Sequence, residues 1–132
     1  MPNARNVLIT GASGGLGTAV TAAFAADRVI AVSHPEYDLT RPEEAARAVA
    51  AVGGPLQVLV HLMGGFAGGQ PVASTDDATW RRMMTMNLDA AFYMTRAALP
   101  SLLAQPGGRI VLIGREPGRY ATLDLGGGSF QL

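Results

Sequence analysis

The sequence predicts an α/β protein with an open parallel sheet of about four strands, helices on both faces and a short strand at one edge. Short apolar runs typical of strands alternate with helical patterns along the 132 residues, and glycine clusters separate many of them. Parallel strands need long crossover connections, which the helical segments supply. We therefore expect right-handed crossovers that pack helices against the sheet.

The first half of the chain reads as three strands joined by two helices. The β-branched, apolar run 6–10 (NVLIT) predicts a strand covered on both faces, and 28–32 (RVIAV) predicts a second. Between them, residues 15–27 place apolar side chains on one helical face. Pro42, followed by two glutamates, begins a second helix, since proline and acidic residues favour a first turn. Residues 56–62 (LQVLVHL) form the third strand.

A long helical stretch over residues 77–103 dominates the second half. Thr75 or Asp76 can cap its start, and Pro100 should bend or interrupt it. Its apolar residues cover a broad arc of the helix surface. Such an arc predicts burial on two sides, against the sheet and against another helix, which a second chain could supply.

The chain ends in a fourth strand and a tail rich in glycine and proline. Residues 109–113 (RIVLI) form the strand, and within the tail only residues 120–125 alternate like an edge strand. Without a neighbour, the fourth strand would leave an apolar edge with unpaired backbone groups. We expect the tail to fold back over it or a partner chain to cover it.

Composition excludes several classes of function. The chain has no cysteine and two histidines, so disulfide frameworks and thiolate metal sites are absent and no metal site is expected. Ten basic and ten acidic residues balance, which leaves no electrostatic footprint for nucleic acid. No apolar run is long enough to span a membrane, and the first residues do not resemble an export signal, so we expect a cytoplasmic protein.

The loop TGASGGLG between the first strand and helix has glycines where a backbone must approach an anion. Gly11 can make a sharp turn with positive φ, Gly15 leaves room for a pyrophosphate, and Gly17 lets helix and strand pack closely. Free N–H groups at the helix start would face the phosphates. A glycine loop after a strand and before a helix predicts Rossmann-like dinucleotide binding, against the simpler interpretation of a tight turn.

The spacing T-G-x-x-x-G-x-G of this loop resembles that of the short-chain dehydrogenase/reductase family. Four further segments strengthen this resemblance. Asp38-Leu39-Thr40 is similar to the family's D-V-T segment, and residues 59–64 (LVHLMG) stand where it has N-N-A-G. Residues 80–100 resemble its central helix, with Asn87 at the catalytic asparagine. GGRIVLIG resembles the strand that carries the catalytic serine. The match covers residues 6–114, the cofactor half of the family.

This resemblance implies an NAD(P)-binding domain over residues 1–114, a tail over 115–132, and hydride transfer between a nicotinamide cofactor and a carbonyl or alcohol. The implied cofactor-binding residues are Gly11, Ser13, Gly14, Gly15, Leu16, Gly17, Ser33, His34, Asp38, Leu39, Met63, Gly64 and Gly65.

Cofactor preference depends on the end of the second strand. Ser33 and His34 stand where an acidic side chain would favour NAD, and neither repels a 2′-phosphate, so the sequence favours NADP. Glu36 nearby leaves NAD open. His61 and Leu62 replace the family's paired asparagines, and His61, in an apolar strand, reads as a hydrogen-bonded core residue rather than a general base.

The family's catalytic groups are largely missing. Its proton donor is a tyrosine four residues before a lysine, and the chain has no lysine. Gly114 and Arg115 occupy the serine position, and only Asn87 remains, which reads equally well as a structural helix residue. We therefore expect negligible dehydrogenase activity from this chain alone.

Several alternatives to a conventional enzyme remain. The chain could be a non-catalytic module that senses NAD(P) or binds a partner, an enzyme with Tyr120 or Arg115 as an improvised acid, or a structural remnant. Self-association is expected through the 77–103 helix or through the 109–113 strand edge.

Overall fold

The computed structural model describes residues 4–67, 70–116 and 119–124, with the backbone alone from residue 114 onward. Its strands and helices, in chain order, are β1 (Asn6–Thr10), α1 (Gly17–Ala23), β2 (Arg28–Val32), α2 (Pro42–Ala50), β3 (Val58–His61), α3 (Asp77–Met84), α4 (Ala90–Leu103), β4 (Arg109–Glu116) and β5 (Arg119–Asp124). A π-helical turn, Thr85–Asp89, joins α3 to α4.

The five strands form one sheet in the order β2-β1-β3-β4-β5. The first four are parallel, and β5 is antiparallel to β4. The chain leaves β1 toward β2 on one side and returns to β3 on the other, so the order reverses between β1 and β3. The predicted parallel α/β sheet is confirmed, and this reversal is where such sheets bind ligands.

Alternate strand residues face two separate apolar clusters. On one face, Val7, Ile9, Val58 and Val60 are buried, with Val20 of α1 and Phe24, which follows α1, packed against them. The other face holds the larger cluster, which includes Leu8, Leu59, Ala48 of α2 and Met94 of α4. Helices therefore cover both faces of the sheet, as predicted.

The long helix differs from the prediction in two ways. Pro100 does not interrupt it, since α4 continues to Leu103. Pro100 is exposed, so the carbonyl that it leaves without an N–H partner can be solvated. Of the two expected buried sides, one is observed: Ala90, Met94, Ala98 and Leu102 are buried, and the opposite side is exposed.

The helix ends follow local chemistry. Asp76 caps α3, its carboxylate accepting the Thr79 N–H at 2.7 Å. The predicted helix over residues 15–27 is shorter, because two successive turns, Gly14 N–H to Gly11 C=O and Gly17 N–H to Gly14 C=O, delay its start to Gly17.

The tail folds back onto the fourth strand. β5 pairs with β4 from Val111 opposite Asp124 to Glu116 opposite Arg119, close to the expected 120–125, of which Leu125 lies outside the described residues. From Val111 onward the chain's own backbone therefore pairs with this edge of β4, which is the first of the two expected ways of covering it, and self-association through the 109–113 edge stays a prediction.

Candidate functional site

A cleft of about 190 Å³ opens at the carboxyl ends of β1, β2 and β3. Its position at the reversal of strand order is where open α/β sheets bind ligands. Nine of the predicted site residues line it: Gly11, Ser13, Gly14, Ser33, His34, Asp38, Leu39, Met63 and Gly64. Two residues that the sequence did not single out, Tyr37 and Leu62, also line it.

Four predicted residues lie outside the cleft lining. Gly15 and Leu16 are exposed at the bend before α1, and Gly17 is buried beneath it. Gly65 follows the lining residue Gly64 and is hydrogen-bonded to Asn87 of the π-helical turn, and a Cβ on it would lie 2.5 Å from the Met86 Cε.

Gly11 and Gly17 are required by the fold itself. Gly11 has φ +66, and a Cβ there would lie 2.7 Å from the Met63 nitrogen. A Cβ on Gly17 would lie 1.7 Å from the Ala12 carbonyl oxygen. These glycines keep the loop close to β3 and to the start of α1.

The bend between them presents backbone donors to open space. Within the part of the chain that the structure describes, the N–H groups of Ser13, Gly15 and Leu16 have no hydrogen-bond acceptor. An ideal Cβ on Gly15 would meet no atom within 4 Å. Exposed amides around an open position can accept an anion such as a phosphate.

The β2 end of the cleft contains a fixed carboxylate. Asp38 accepts hydrogen bonds from the Thr40 hydroxyl at 2.5 Å and the Thr40 N–H at 3.2 Å. These bonds, the hydroxyl first, hold the pKa of Asp38 below its ordinary value. Asp38 is therefore ionised and oriented at neutral pH.

Two guanidinium groups near this end are paired with glutamates. Arg41 lies 2.5 Å from Glu43, and Arg47 lies 2.5 Å from Glu44. Arg47 also donates to the Glu36 carbonyl. Neither cation is free of a carboxylate partner.

Asn87, in the π-helical turn, holds the loop after β3. Its Nδ2 donates to the Gly65 carbonyl at 2.8 Å and to the Met83 carbonyl at 2.9 Å, while its Oδ1 accepts the Gly65 N–H at 3.1 Å. The side-chain amide thus uses both of its hydrogens within the protein. It clamps the helix to the segment that continues from the cleft.

His61 is a core residue, as the sequence indicated. It is 4% exposed, and its Nδ1 lies 2.8 Å from the Thr10 hydroxyl, while Nε2 has no partner. Burial lowers the pKa of His61 to about 4. Thr10 also accepts the Met63 N–H at 3.4 Å, so this pair joins the ends of β1 and β3 beneath the cleft.

No group of three histidine, aspartate or glutamate side chains in the described residues could hold a metal ion. No helix of the described chain is long and apolar enough to cross a bilayer.

A parallel sheet with a glycine-bend cleft at its point of reversal defines a nucleotide-binding α/β protein. The family model for short chain dehydrogenase matches residues 29–124. The chain therefore belongs to the short-chain dehydrogenase family.

Individual relatives agree with this membership. The chain is 32% identical over 133 residues to galactitol 2-dehydrogenase (L-tagatose-forming) of Cereibacter sphaeroides, covering 83% of this chain and 52% of the relative. It is 30% identical over 131 residues to the 3-oxoacyl-[acyl-carrier-protein] reductase MabA of Mycobacterium tuberculosis, covering 88% and 53%. The chain thus spans about half the length of these relatives.

A solved structure shares the fold. A short-chain type dehydrogenase/reductase from Mycobacterium ulcerans superimposes with a TM-score of 0.75 at 28% identity, covering 82% of this chain and 50% of that one. An NADH-dependent reductase, A1-R′, solved in complex with NAD, gives a TM-score of 0.67 at 25% identity and covers 77% and 53%.

Proposed function

We propose that the chain binds NAD(P)(H) in the cleft, with the diphosphate at the glycine bend before α1. The observation that carries this proposal is the set of exposed amides of Ser13, Gly15 and Leu16 around an open position at Gly15. The family's use of a nicotinamide cofactor supports it, as does the relative solved with NAD.

The residues present fit one half of such a ligand. The cleft, at about 190 Å³, is smaller than the roughly 300–1,000 Å³ of pockets that enclose a drug-sized molecule. It joins the glycine bend to the β2 end, where Asp38 and Leu39 would contact the adenosine portion. Met63 and Gly64 would lie beside its ribose.

We propose a modest preference for NADP over NAD. Ser33 and His34 at the end of β2 offer no carboxylate to repel a 2′-phosphate. Arg41 and Arg47 are already paired with glutamates, so they strengthen this preference little. His34 is exposed at this end of the lining, and we propose that it contacts the added phosphate.

When bound, the cofactor supplies hydride to a carbonyl or accepts it from an alcohol, and this chain's residues would bind and orient it. Asn87 would keep the loop after β3 in place. Proton transfer is the missing step, because Tyr37 lines the β2 end, Tyr93 lies on α4, and neither is followed four residues later by lysine. We therefore propose cofactor binding without dehydrogenase turnover by this chain alone, so the chain acts as a binding module.

The improvised enzyme remains the competing hypothesis. Arg115 and Tyr120 occupy opposite positions of the β4–β5 ladder. Carbonyl reduction that is lost in Tyr120→Phe would favour this hypothesis over the binding module.

A second copy of the chain is the proposed partner. Leu88, Phe92, Leu99 and Leu103 form an exposed stripe along the π-helical turn and α4, and they are between 36% and 79% exposed. Four large apolar residues on one helix face are typical of a helix that packs against another.

We also propose residues 1–114 as the binding domain and the cytoplasm as its compartment, where a chain without cysteine needs no oxidant.

Titration of NADH and NADPH tests the central proposal. The Gly15→Val substitution should abolish binding of both by filling the open position, while the folded chain tolerates it because nothing lies within 4 Å of the new Cβ. Gly54→Ala is the matched control, since it adds a methyl group before β3, at the opposite end of the strand, in ordinary contact with Asn6. Wild-type affinity in Gly15→Val would refute the placement of the diphosphate.

Turnover is measured on the same samples. We expect no NADH or NADPH oxidation with a panel of aldehydes and ketones. Absence of binding of either cofactor at about millimolar concentration would leave the chain as a structural remnant.

A further inference from the structure

Tyr37 is a cleft residue without an assigned role. Among the described residues that line the cleft, no other is a phenylalanine, tyrosine or tryptophan. The Tyr37 side chain is partly buried against the larger apolar cluster. Its place on the loop after β2 puts it beside Asp38 and Leu39, at the end of the cleft away from β3.

Arg47 of α2 covers one face of this ring. Its guanidinium carbon lies 4.0 Å from the centre of the Tyr37 ring, a cation–π contact. Arg47 is itself fixed by Glu44 and by the carbonyl of Glu36. One face of the ring is thereby covered by a held cation, while the side chain also packs against the larger apolar cluster and contributes to the cleft lining.

We propose that Tyr37 stacks with the adenine base of the bound dinucleotide and that Arg47 is the positioning residue that holds the ring. This inference rests on the proposed function and adds its base-binding group. A purine presents a π face to a tyrosine, and stacking on an aromatic side chain strengthens nucleotide binding about tenfold or more. Leu39 and Leu62 add apolar lining to the same cleft.

The variants distinguish the contribution of the Tyr37 aromatic ring to binding from the contributions of side-chain volume and of the hydroxyl group. Tyr37→Leu should weaken AMP and NADH about tenfold, while Tyr37→Phe stays within about twofold, because stacking needs the ring and not the hydroxyl. Arg47→Gln should weaken AMP by about threefold, since the ring loses its support. Tyr93→Leu is the matched control, because Tyr93 also lies under an arginine, Arg96, but outside the cleft lining.

A spectroscopic readout distinguishes stacking from a structural role. The adenine protons of AMP should move upfield on binding to the wild type and to Tyr37→Phe, through the ring current. In Tyr37→Leu this displacement should vanish, and in Arg47→Gln it should shrink. Circular dichroism confirms that each variant is folded, and Tyr37→Trp replaces Tyr37→Leu if the latter is not, with the upfield displacement retained.

The outcomes separate this inference from the proposed function. If Tyr37→Leu binds AMP as the wild type does while Gly15→Val does not bind NADH, the stacking proposal is overturned and the proposed function stands. An unchanged adenine spectrum in the wild-type complex overturns the stacking as well. If the wild type binds neither AMP nor NADH, both proposals fall together.

Discussion

Acidification should destabilise the protein through His61. This side chain is 4% exposed and its Nε2 has no partner, so protonation would place an unmatched charge in the core. The perturbation is a change from neutral pH to about pH 4.5 without cofactor. The comparison is between the wild type and His61→Asn, which does not titrate in this range.

The sign and size of the effect follow from the two pKa values. An unfolded histidine has its ordinary pKa of 6.5, whereas burial lowers the pKa of folded His61 to about 4. Between these values the unfolded chain binds more protons, so stability is fully present above about pH 6.5 and is lost as the pH falls toward about 4. The complete loss is on the order of 3 kcal/mol, of which about 2.5 kcal/mol is expressed by about pH 4.5.

Urea unfolding followed by far-ultraviolet circular dichroism measures this loss. The difference in unfolding free energy between the wild type and His61→Asn should change by about 2.5 kcal/mol across the pH range. Protonation of carboxylates with lowered pKa, such as Asp27 and Asp38, also destabilises the protein in acid. This effect is the same in both proteins, so it cancels in the difference between their unfolding free energies. Parallel curves for the wild type and His61→Asn would refute the reasoning.

The remaining predictions concern the loop clamp and the exposed helix stripe. Asn87→Ala should lower the free energy of unfolding by about 1–2 kcal/mol, because the bonds to Gly65 and Met83 are lost. Asn87→Asp should not restore it, since a carboxylate cannot donate to the two carbonyls; wild-type stability of that variant would contradict the clamp. Phe92→Glu should reduce the mass measured by light scattering from a dimer to a monomer, whereas Arg96→Gln at the same face should not. A monomeric wild type would remove the proposed interface.

Strands and turns were predictable because their residues act locally. The apolar, β-branched run that became β1 and the proline that begins α2 fix their segments with little help from distant contacts. Gly11 could be assigned from its place after a strand, and it does adopt positive φ.

The remaining features depend on contacts that no local pattern records. Tyr37 reaches the cleft because Arg47, ten residues further along the chain, holds its ring. The partner of His61 is Thr10, at the end of a neighbouring strand. The π-helical turn at Asn87 interrupts a stretch whose periodicity reads as one continuous helix. Leu62 stands where the family has a polar asparagine, yet it lines the cleft, and apolar lining is what a base-binding pocket needs.

The reversed direction of β5 has a consequence for growth of the sheet. From Val111 to Glu116, the hydrogen-bonding groups on one side of β4 already face a strand that runs the other way. Any parallel strand that joined the sheet there, from this polypeptide or another, would have to exchange with that hairpin rather than add to it. The hairpin and an enlarged parallel sheet are therefore alternative states of the same edge, and a chain cannot occupy both at once.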